Sequence, residues 1–575
     1  MIRSLFLFLI IFPFSLIGQY NLFTEKDSIT ILHRTGGGLI DSLDMSYSYP
    51  ISTFSGGTLN TINSIISPKF IFEKVGLQNF RDVIANKQMV FSGLPHLGFS
   101  YSFGSKGTQF LHFDYQQALS KKTLLNLNYQ RNSSNGFLRN SKYSDNTFSF
   151  QLRKNNKFYS YYLESSYSSK ITGLNGGVTN FENIDSQGLE FLPINNSYSK
   201  NNLKIASVKL NNYFNLLNDS IKAIGIVTKH QYEVTNRQYT DENIFNKWNI
   251  DSLKTRDQYR FASIKTSSGL YLKSKKSYFD FLIQQRYWDY QNLGIHNDTS
   301  EINLTSTLKV DIKKFELKND AVFNLIGAGG EWSNKSSISS DYNKINICAS
   351  LQLEQKWPEA FQRFYFSNNY SYKLGEFKLQ SRVNSLISVR YKLNKLNFLQ
   401  FSYSNSILHN NYFFIDSLWR NDTLNLISIN SLSVNGNFKF GFFYIQPNIS
   451  LNIPSSNFLY IPKTTINTRL FVKKKMFKAK KMEGIYGVDL AWISTYNLMT
   501  YNNEIDVCTF NDTKRVFNSM TNLSAFLGFS LGEFRFFTRM ENIGYFWNDK
   551  SNQVLVGFPI QKNFIRLGLT WDFFN

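Results

Sequence analysis

The chain has 575 residues, a formal net charge of +22, two cysteines and six histidines. So few cysteines and histidines exclude a disulfide framework and argue against a dedicated metal site. The positive balance favours anionic surfaces and solutes without singling out nucleic acid. Mean hydropathy is −0.29 with 42% hydrophobic residues, yet 17% of residues are aromatic. An architecture in which half of every element faces lipid and half faces water reconciles these values.

In chain order, residues 1–18 read as a secretory signal. Arg3 supplies the positive start, residues 5–17 are apolar apart from Pro13 and Ser15, and the small Gly18 precedes Gln19. The apolar run is too short to span a bilayer, and no later stretch reaches the ~20 apolar residues a spanning helix needs. Residues 19–95, with glycines at 36–38 and 56–57 and poor alternation, read as a periplasmic or barrel-inserted segment. From residue 96 to 575 the expected domain is a transmembrane β-barrel.

The period of two is clean in several segments. Leu97, Phe99, Tyr101 and Phe103 alternate with glycine and serine. Leu125, Leu127 and Tyr129 alternate with Asn126 and Asn128, and Phe148, Phe150 and Leu152 with Ser149 and Gln151. The longest run sets Ile302, Leu304, Leu308, Val310 and Ile312 against Asn303, Thr305, Thr307, Lys309 and Asp311. Connectors add an independent signal. Short gaps at 154–157, 273–277, 313–314, 394–396 and 532–533 alternate with long ones at 169–200, 234–260, 327–342, 409–430, 493–520 and 546–563. Short turns on one side and long loops on the other are the outer-membrane barrel arrangement. Counting back predicts an all-β, transmembrane antiparallel β-barrel of about 22 strands, with any even number from roughly 16 to 22 acceptable. Lysines gather at the short turns, where they blunt pairing or meet anionic headgroups.

The last strand predicts how such a barrel closes. Ile565, Leu567, Leu569, Trp571 and Phe573 form its apolar face, alternating with Arg566, Gly568, Thr570 and Asp572. A chain end in the periplasm would make residues 546–563 an external loop.

Residues 96–103, the run Asn135, Gly136, Phe137, Leu138, Arg139, the run Asn175, Gly176, Gly177, Val178, and the ending 564–575 together resemble the putative porin family of Gram-negative outer-membrane β-barrels. The resemblance covers residues 90–180 and 555–575. It implies passive solute diffusion and brings no catalytic residues with it.

Catalytic chemistry is mostly absent. Gly528, Ser530 and Gly532 match the nucleophile-elbow spacing, but the motif lies within strand alternation rather than at a strand-to-helix turn. His112 and Asp114 share a face and read as ordinary lumen residues. The expectation is therefore no enzyme, no cofactor and no metal. Alternation points Arg153, Arg286, Lys309, Arg390, Lys392, Arg535, Arg539 and Arg566 into the lumen as pore-lining residues. Asp280, Asp311, Glu541 and Asp572 form an acidic minority there. Either the excess cations favour anions or opposite charges pair across the wall.

The leading functional expectation is a porin-like outer-membrane channel for small hydrophilic solutes. Alternatives are a plugged transporter resembling TonB-dependent receptors, or a barrel in an adhesion or secretion assembly. Expected partners are outer-membrane lipid, small solutes and, through the C-terminal strand, barrel-assembly machinery, with no nucleic acid.

Overall fold

The computed structural model describes residues 95–574, apart from 183, 220–221, 243–249, 252, 395, 416, 422–425, 456–459, 479–480 and 510–514. The expected signal, and the segment 19–95 up to residue 94, lie outside the described residues.

Alternating side chains make the wall. Its strands are β1 (His96–Gly104), β2 (Thr108–Ser120), β3 (Thr123–Ser134), β4 (Tyr143–Lys154), β5 (Tyr159–Gly173), β6 (Lys200–Asn218) and β7 (Lys222–Asp241). They continue as β8 (Thr255–Ser274), β9 (Ser277–Asn292), β10 (Ile295–Ile312), β11 (Phe315–Ile326), β12 (Trp332–Tyr342), β13 (Ile345–Lys356) and β14 (Gln380–Lys392). The remainder are β15 (Phe398–His409), β16 (Leu426–Phe440), β17 (Phe443–Pro454), β18 (Thr464–Met476), β19 (Met482–Ile493), β20 (Met520–Leu531), β21 (Phe534–Glu541) and β22 (Phe564–Phe574). Every neighbour is antiparallel, and the single 22-stranded sheet closes where β1 pairs with β22, His96 opposite Phe574 and Gly104 opposite Arg566. Closure leaves no edge, so every strand's backbone groups pair within the wall, as lipid demands. Among the described residues no helix is long and apolar enough to cross a membrane.

One face of the sheet exposes large apolar side chains, such as Leu270 at 60%, Phe401 at 54% and Ile565 at 53%. The other face carries the polar and charged residues. The first is the lipid face and the second the lumen face. Polar groups that fall on the lipid face satisfy one another. Asn319 Nδ2 donates to Asn334 Oδ1 (3.1 Å) and Ser336 Oγ (2.7 Å). Asn430 Oδ1 accepts from Asn405 Nδ2 at 2.7 Å and from the Tyr403 hydroxyl at 2.8 Å. Each such bond removes a desolvation cost of a few kcal/mol.

The two rims differ as expected. One carries tight turns such as 313–314, 343–344, 441–442 and 532–533, whose first residues Lys313, Asn343, Gly441 and Gly532 have φ between 51° and 62°. Positive φ there matches the twist of a two-residue hairpin. The other rim carries the long connections 174–199, 357–379, 410–425, 494–519 and 542–563.

Several expected boundaries move. The gap expected over 327–342 contains β12, and the connection itself is only residues 327–331. The lipid face of β12 mixes Asn334, Ser336 and Ser340 with Trp332, Ile338 and Tyr342, which hides its period of two. The gaps expected over 234–260 and 409–430 shrink because β7 runs to Asp241, β8 starts at Thr255 and β16 starts at Leu426. A tight turn at 293–294 also sits on the long-loop rim. Strands β7 and β8 pair over their whole 20-residue lengths, about twice a bilayer crossing.

Candidate functional site, the lumen wall and its loop roof

The pairing register brings Arg153, Arg286, Lys309, Arg390, Lys392, Arg535, Arg539 and Arg566 onto the lumen face, together with Asp280, Asp311, Glu541 and Asp572. Most are held by neighbours. Arg286 Nη1 lies 3.2 Å from Glu301 Oε2, and Glu301 Oε1 accepts from Trp288 Nε1 at 2.7 Å. Lys309 Nζ and Lys318 Nζ converge on Glu316 Oε1 at 2.8 and 3.1 Å. Asp280 accepts from Lys229 Nζ at 2.7 Å and from the Tyr278 hydroxyl at 2.8 Å. Arg390 donates Nε and Nη2 to Gln400 Oε1, and Lys392 meets Asp341 at 3.0 Å. Arg390 remains exposed and Lys392 half-buried.

The densest charge lies beside the seam. Arg469 grips Asp489 with Nε at 2.7 Å and Nη2 at 3.0 Å. Arg539 Nη1 reaches the same carboxylate at 2.5 Å and turns its Nε to Glu541 at 2.9 Å. Glu541 also takes Arg566 Nη2 at 2.5 Å. Three guanidiniums therefore share two carboxylates across β18, β19, β21 and β22. Aromatic faces add to the hold: Arg469 and Arg539 flank Phe526, and Arg566 lies over Phe537 at 5.7 Å. Further down the seam, Arg535 Nη1 meets Asp572 at 3.0 Å and His96 Nε2 lies 3.6 Å from the same carboxylate. Arg469, Asp489, Glu301 and His96 were missed from sequence. A cross-strand ion pair is visible only once register is known, since neither strand's own alternation reports its partner.

Other residues singled out from sequence sit in ordinary wall positions. Ser530 lies in β20 opposite Arg535, two residues before the Gly532 turn into β21, with no helix following. His112 Nε2 shares a hydrogen bond with Asn128 Nδ2 at 2.8 Å, which also reaches Asp114 at 3.5 Å. Among the described residues no group of His, Cys, Asp and Glu is arranged to hold a metal ion. Cys348 and Cys508 are not joined in a disulfide.

Over the long-loop rim the connections interlock. Residues 174–199 bring Val178, Leu189 and Leu192 against the lumen-facing Phe110, Phe537 and Phe564. Residues 357–379, 410–425 and 494–519 contribute Phe361, Tyr372, Phe414, Trp419 and Val507 to one aromatic cluster that sits on Tyr259, Trp288 and Tyr290 of β8 and β9. Backbone bonds tie loops to one another, Val178 N–H to Gly557 O at 2.7 Å and Val556 N–H to Met499 O at 3.0 Å. Gly177 and Gly557 approach so closely, at φ of +84° and +85°, that a Cβ on Gly177 would lie 3.0 Å from the Gly557 backbone.

The roof carries a titratable group. Burial, then the charges of Asp257 and Asp241, push the Glu504 carboxyl up to about 8. A carboxyl raised in the folded state costs nothing while it stays protonated, below its unfolded range near 4.3. Its penalty grows as pH rises and is complete above about 8. Opening of residues 494–519 should therefore increase at least about tenfold between pH 5 and 8, and Glu504→Gln should flatten the profile. Hydrogen exchange of that loop, corrected for the intrinsic pH dependence of exchange, measures both.

A closed antiparallel barrel with an apolar outer belt, a charged lumen face and loops folded over one rim defines an outer-membrane transport barrel. The sequence model of the family described as "Putative porin" matches residues 93–575, and the chain belongs to that family. The match includes the middle of the chain, beyond the segments that carried the resemblance. No curated protein sequence matches. Solved structures similar in fold include the closed form of the ferric-catecholate import receptor Fiu from E. coli K12 (TM-score 0.57, 11% identity, covering 84% of this chain and 82% of that one). The ferric enterobactin receptor PfeA of Pseudomonas aeruginosa, as a mutant in complex with enterobactin, gives a TM-score of 0.59 at 11% identity, covering 85% and 82%. BauA, the ferric preacinetobactin receptor of Acinetobacter baumannii, gives 0.54 at 11%, covering 84% and 80%. At such identities the likeness is one of fold alone.

Proposed function

We propose that this protein is a porin-like channel of the outer membrane that passes small hydrophilic solutes by diffusion and favours anions. The observation that carries the reading is the lumen face, where Arg390 stays exposed, Lys392 is half-buried and the guanidiniums of Arg469, Arg539 and Arg566 cluster beside the seam. Fixed positive charge along a water-filled wall lowers the barrier for anions and raises it for cations. In this reading Arg153, Arg286, Lys309, Arg390 and Lys392 line the path, and the buried Arg535, Arg539 and Arg566 place positive charge in the wall behind it. The long-loop rim faces outward, and the short turns face the periplasm. Outer-membrane lipid, the solutes themselves and barrel-assembly machinery reading the terminal strand are its partners.

Planar-bilayer recording tests it. The refolded chain should conduct, with a reversal potential displaced toward the anion in a salt gradient. Arg390→Glu with Lys392→Glu should displace it toward the cation, roughly halving or reversing the preference. A folded barrel that stays silent refutes the channel.

A second reading, a ligand-gated receptor with an occupied lumen, draws on the strand number. Barrels of 22 strands enclose a lumen that other proteins fill with a plug. The interlocked loops fit such gating. Conductance that appears only after removal of residues 19–95 would favour this reading over the first.

A further inference from the structure

The lipid face of β6, β7 and β8 changes character near the long-loop rim. Tyr232 and Tyr287, with Val208 and Ile264, form one cross-strand row, each side chain 40–49% exposed. Aromatic rows of this kind mark the membrane interface. Four residues further along each strand, about 13 Å at 3.3 Å per residue, the outward side chains are polar. Register there sets Lys200 beside Thr240 beside Arg256, then Asn202 beside Gln238 beside Gln258, then Lys204 beside Asn236 beside Arg260. The result is a three-by-three array with a cation at each corner and amides along the middle row. Lys200, Lys204 and Arg256 are exposed. Arg260 is 43% exposed and only 3.5 Å from Asp289 Oδ2, whose other oxygen meets His296 Nε2 at 2.7 Å. The lower two rows border a concavity of about 800 Å³ that is closed on one side by Leu293, Gly294 and Ile295.

We propose that this array docks the phosphorylated sugar headgroup of an outer-leaflet glycolipid. Amide side chains offer a donor and an acceptor each, the complement of sugar hydroxyls. The corner cations supply phosphate partners on opposite edges of the headgroup. The position settles the choice of occupant: the array continues the lipid-facing surface just beyond its aromatic girdle, where headgroups of the outer leaflet lie. The inference rests on the proposed orientation, with the long-loop rim outward, and is independent of what crosses the lumen.

The test uses the full chain purified in detergent and three probes: purified lipopolysaccharide, the same glycolipid enzymatically dephosphorylated, and its lipid-free phosphorylated oligosaccharide. Native mass spectrometry and retention through gel filtration report binding, and heat-modifiable mobility reports folding. The intact glycolipid should bind, and the dephosphorylated one more weakly. The variant K200Q/K204Q/R256Q/R260Q should lose about 10- to 100-fold in affinity while remaining folded. Asn202→Ala with Gln238→Ala and Gln258→Ala should weaken binding with all cations kept. Lys157→Gln with Lys222→Gln, on the opposite rim, should change nothing. Equal binding by the four-cation variant, or equal loss from the opposite-rim control, overturns the site. Equal binding of the lipid-free oligosaccharide overturns the glycolipid as its occupant.

Discussion

Deleting residues 564–575 should abolish the folded barrel altogether. Strand β22 is the only bridge between β21 and β1, pairing with Phe534–Glu541 on one side and His96–Gly104 on the other. Without it two full edges face lipid with unpaired N–H and C=O groups, each costing several kcal/mol in hydrocarbon. Direct closure of β1 on β21 would need a parallel pair, since both are antiparallel to β22, and β21 offers only eight residues to it. The measurement is heat-modifiable mobility of the refolded chain, and recovery of a compact band by the truncated chain would show that closure lies elsewhere. A milder probe is Gly568→Val. A Cβ at Gly568 would collide with the Phe537 ring and lie 2.8 Å from Ser102 Cβ, so the seam should fold in reduced yield.

Asp489→Ala should be the most damaging single change in the wall, at about 3–5 kcal/mol of stability. The carboxylate serves Arg469 and Arg539, whose side chains are 1% and 6% exposed. Removing it leaves two buried guanidiniums facing each other, with Arg539 keeping its contact to Glu541. Replacing Arg469 with Met in the same chain should recover part of the loss, since a buried ion pair is costly mainly when broken on one side. Urea midpoints of the barrel in micelles, followed by tryptophan fluorescence, give the values. A change under about 1 kcal/mol would mean that water screens the network as it does surface pairs.

Much of the fold was legible because a β-barrel writes its two environments into alternate residues. Strands with aliphatic or aromatic lipid faces, such as β1, β4, β10 and β22, are readable from one strand alone. Strand β12 is not, because its lipid face depends on Asn319 of a neighbouring strand to satisfy Asn334 and Ser336. The heights of β7 and β8 were also underestimated. Above the tyrosine row the outward face is polar and the inward face mixes Arg237, Asp241 and Asp257 with Tyr239, Tyr259 and Phe261, so the period of two fades while the pairing continues. The loops carried aromatic residues without any period, and their clustering on Tyr259, Trp288 and Tyr290 depends on contacts between segments far apart in the chain.

The sequence by itself determined the class, the membership and the faces of the strands whose alternation is clean, because side-chain polarity with a period of two is a local property of a strand. Only the tertiary structure decided which charges meet. Arg469 finds Asp489 and Arg566 finds Glu541 through register and closure, and the roof forms through contacts between distant loops. Those arrangements depend on which strands are neighbours and by how many residues they are offset, and no single strand encodes either.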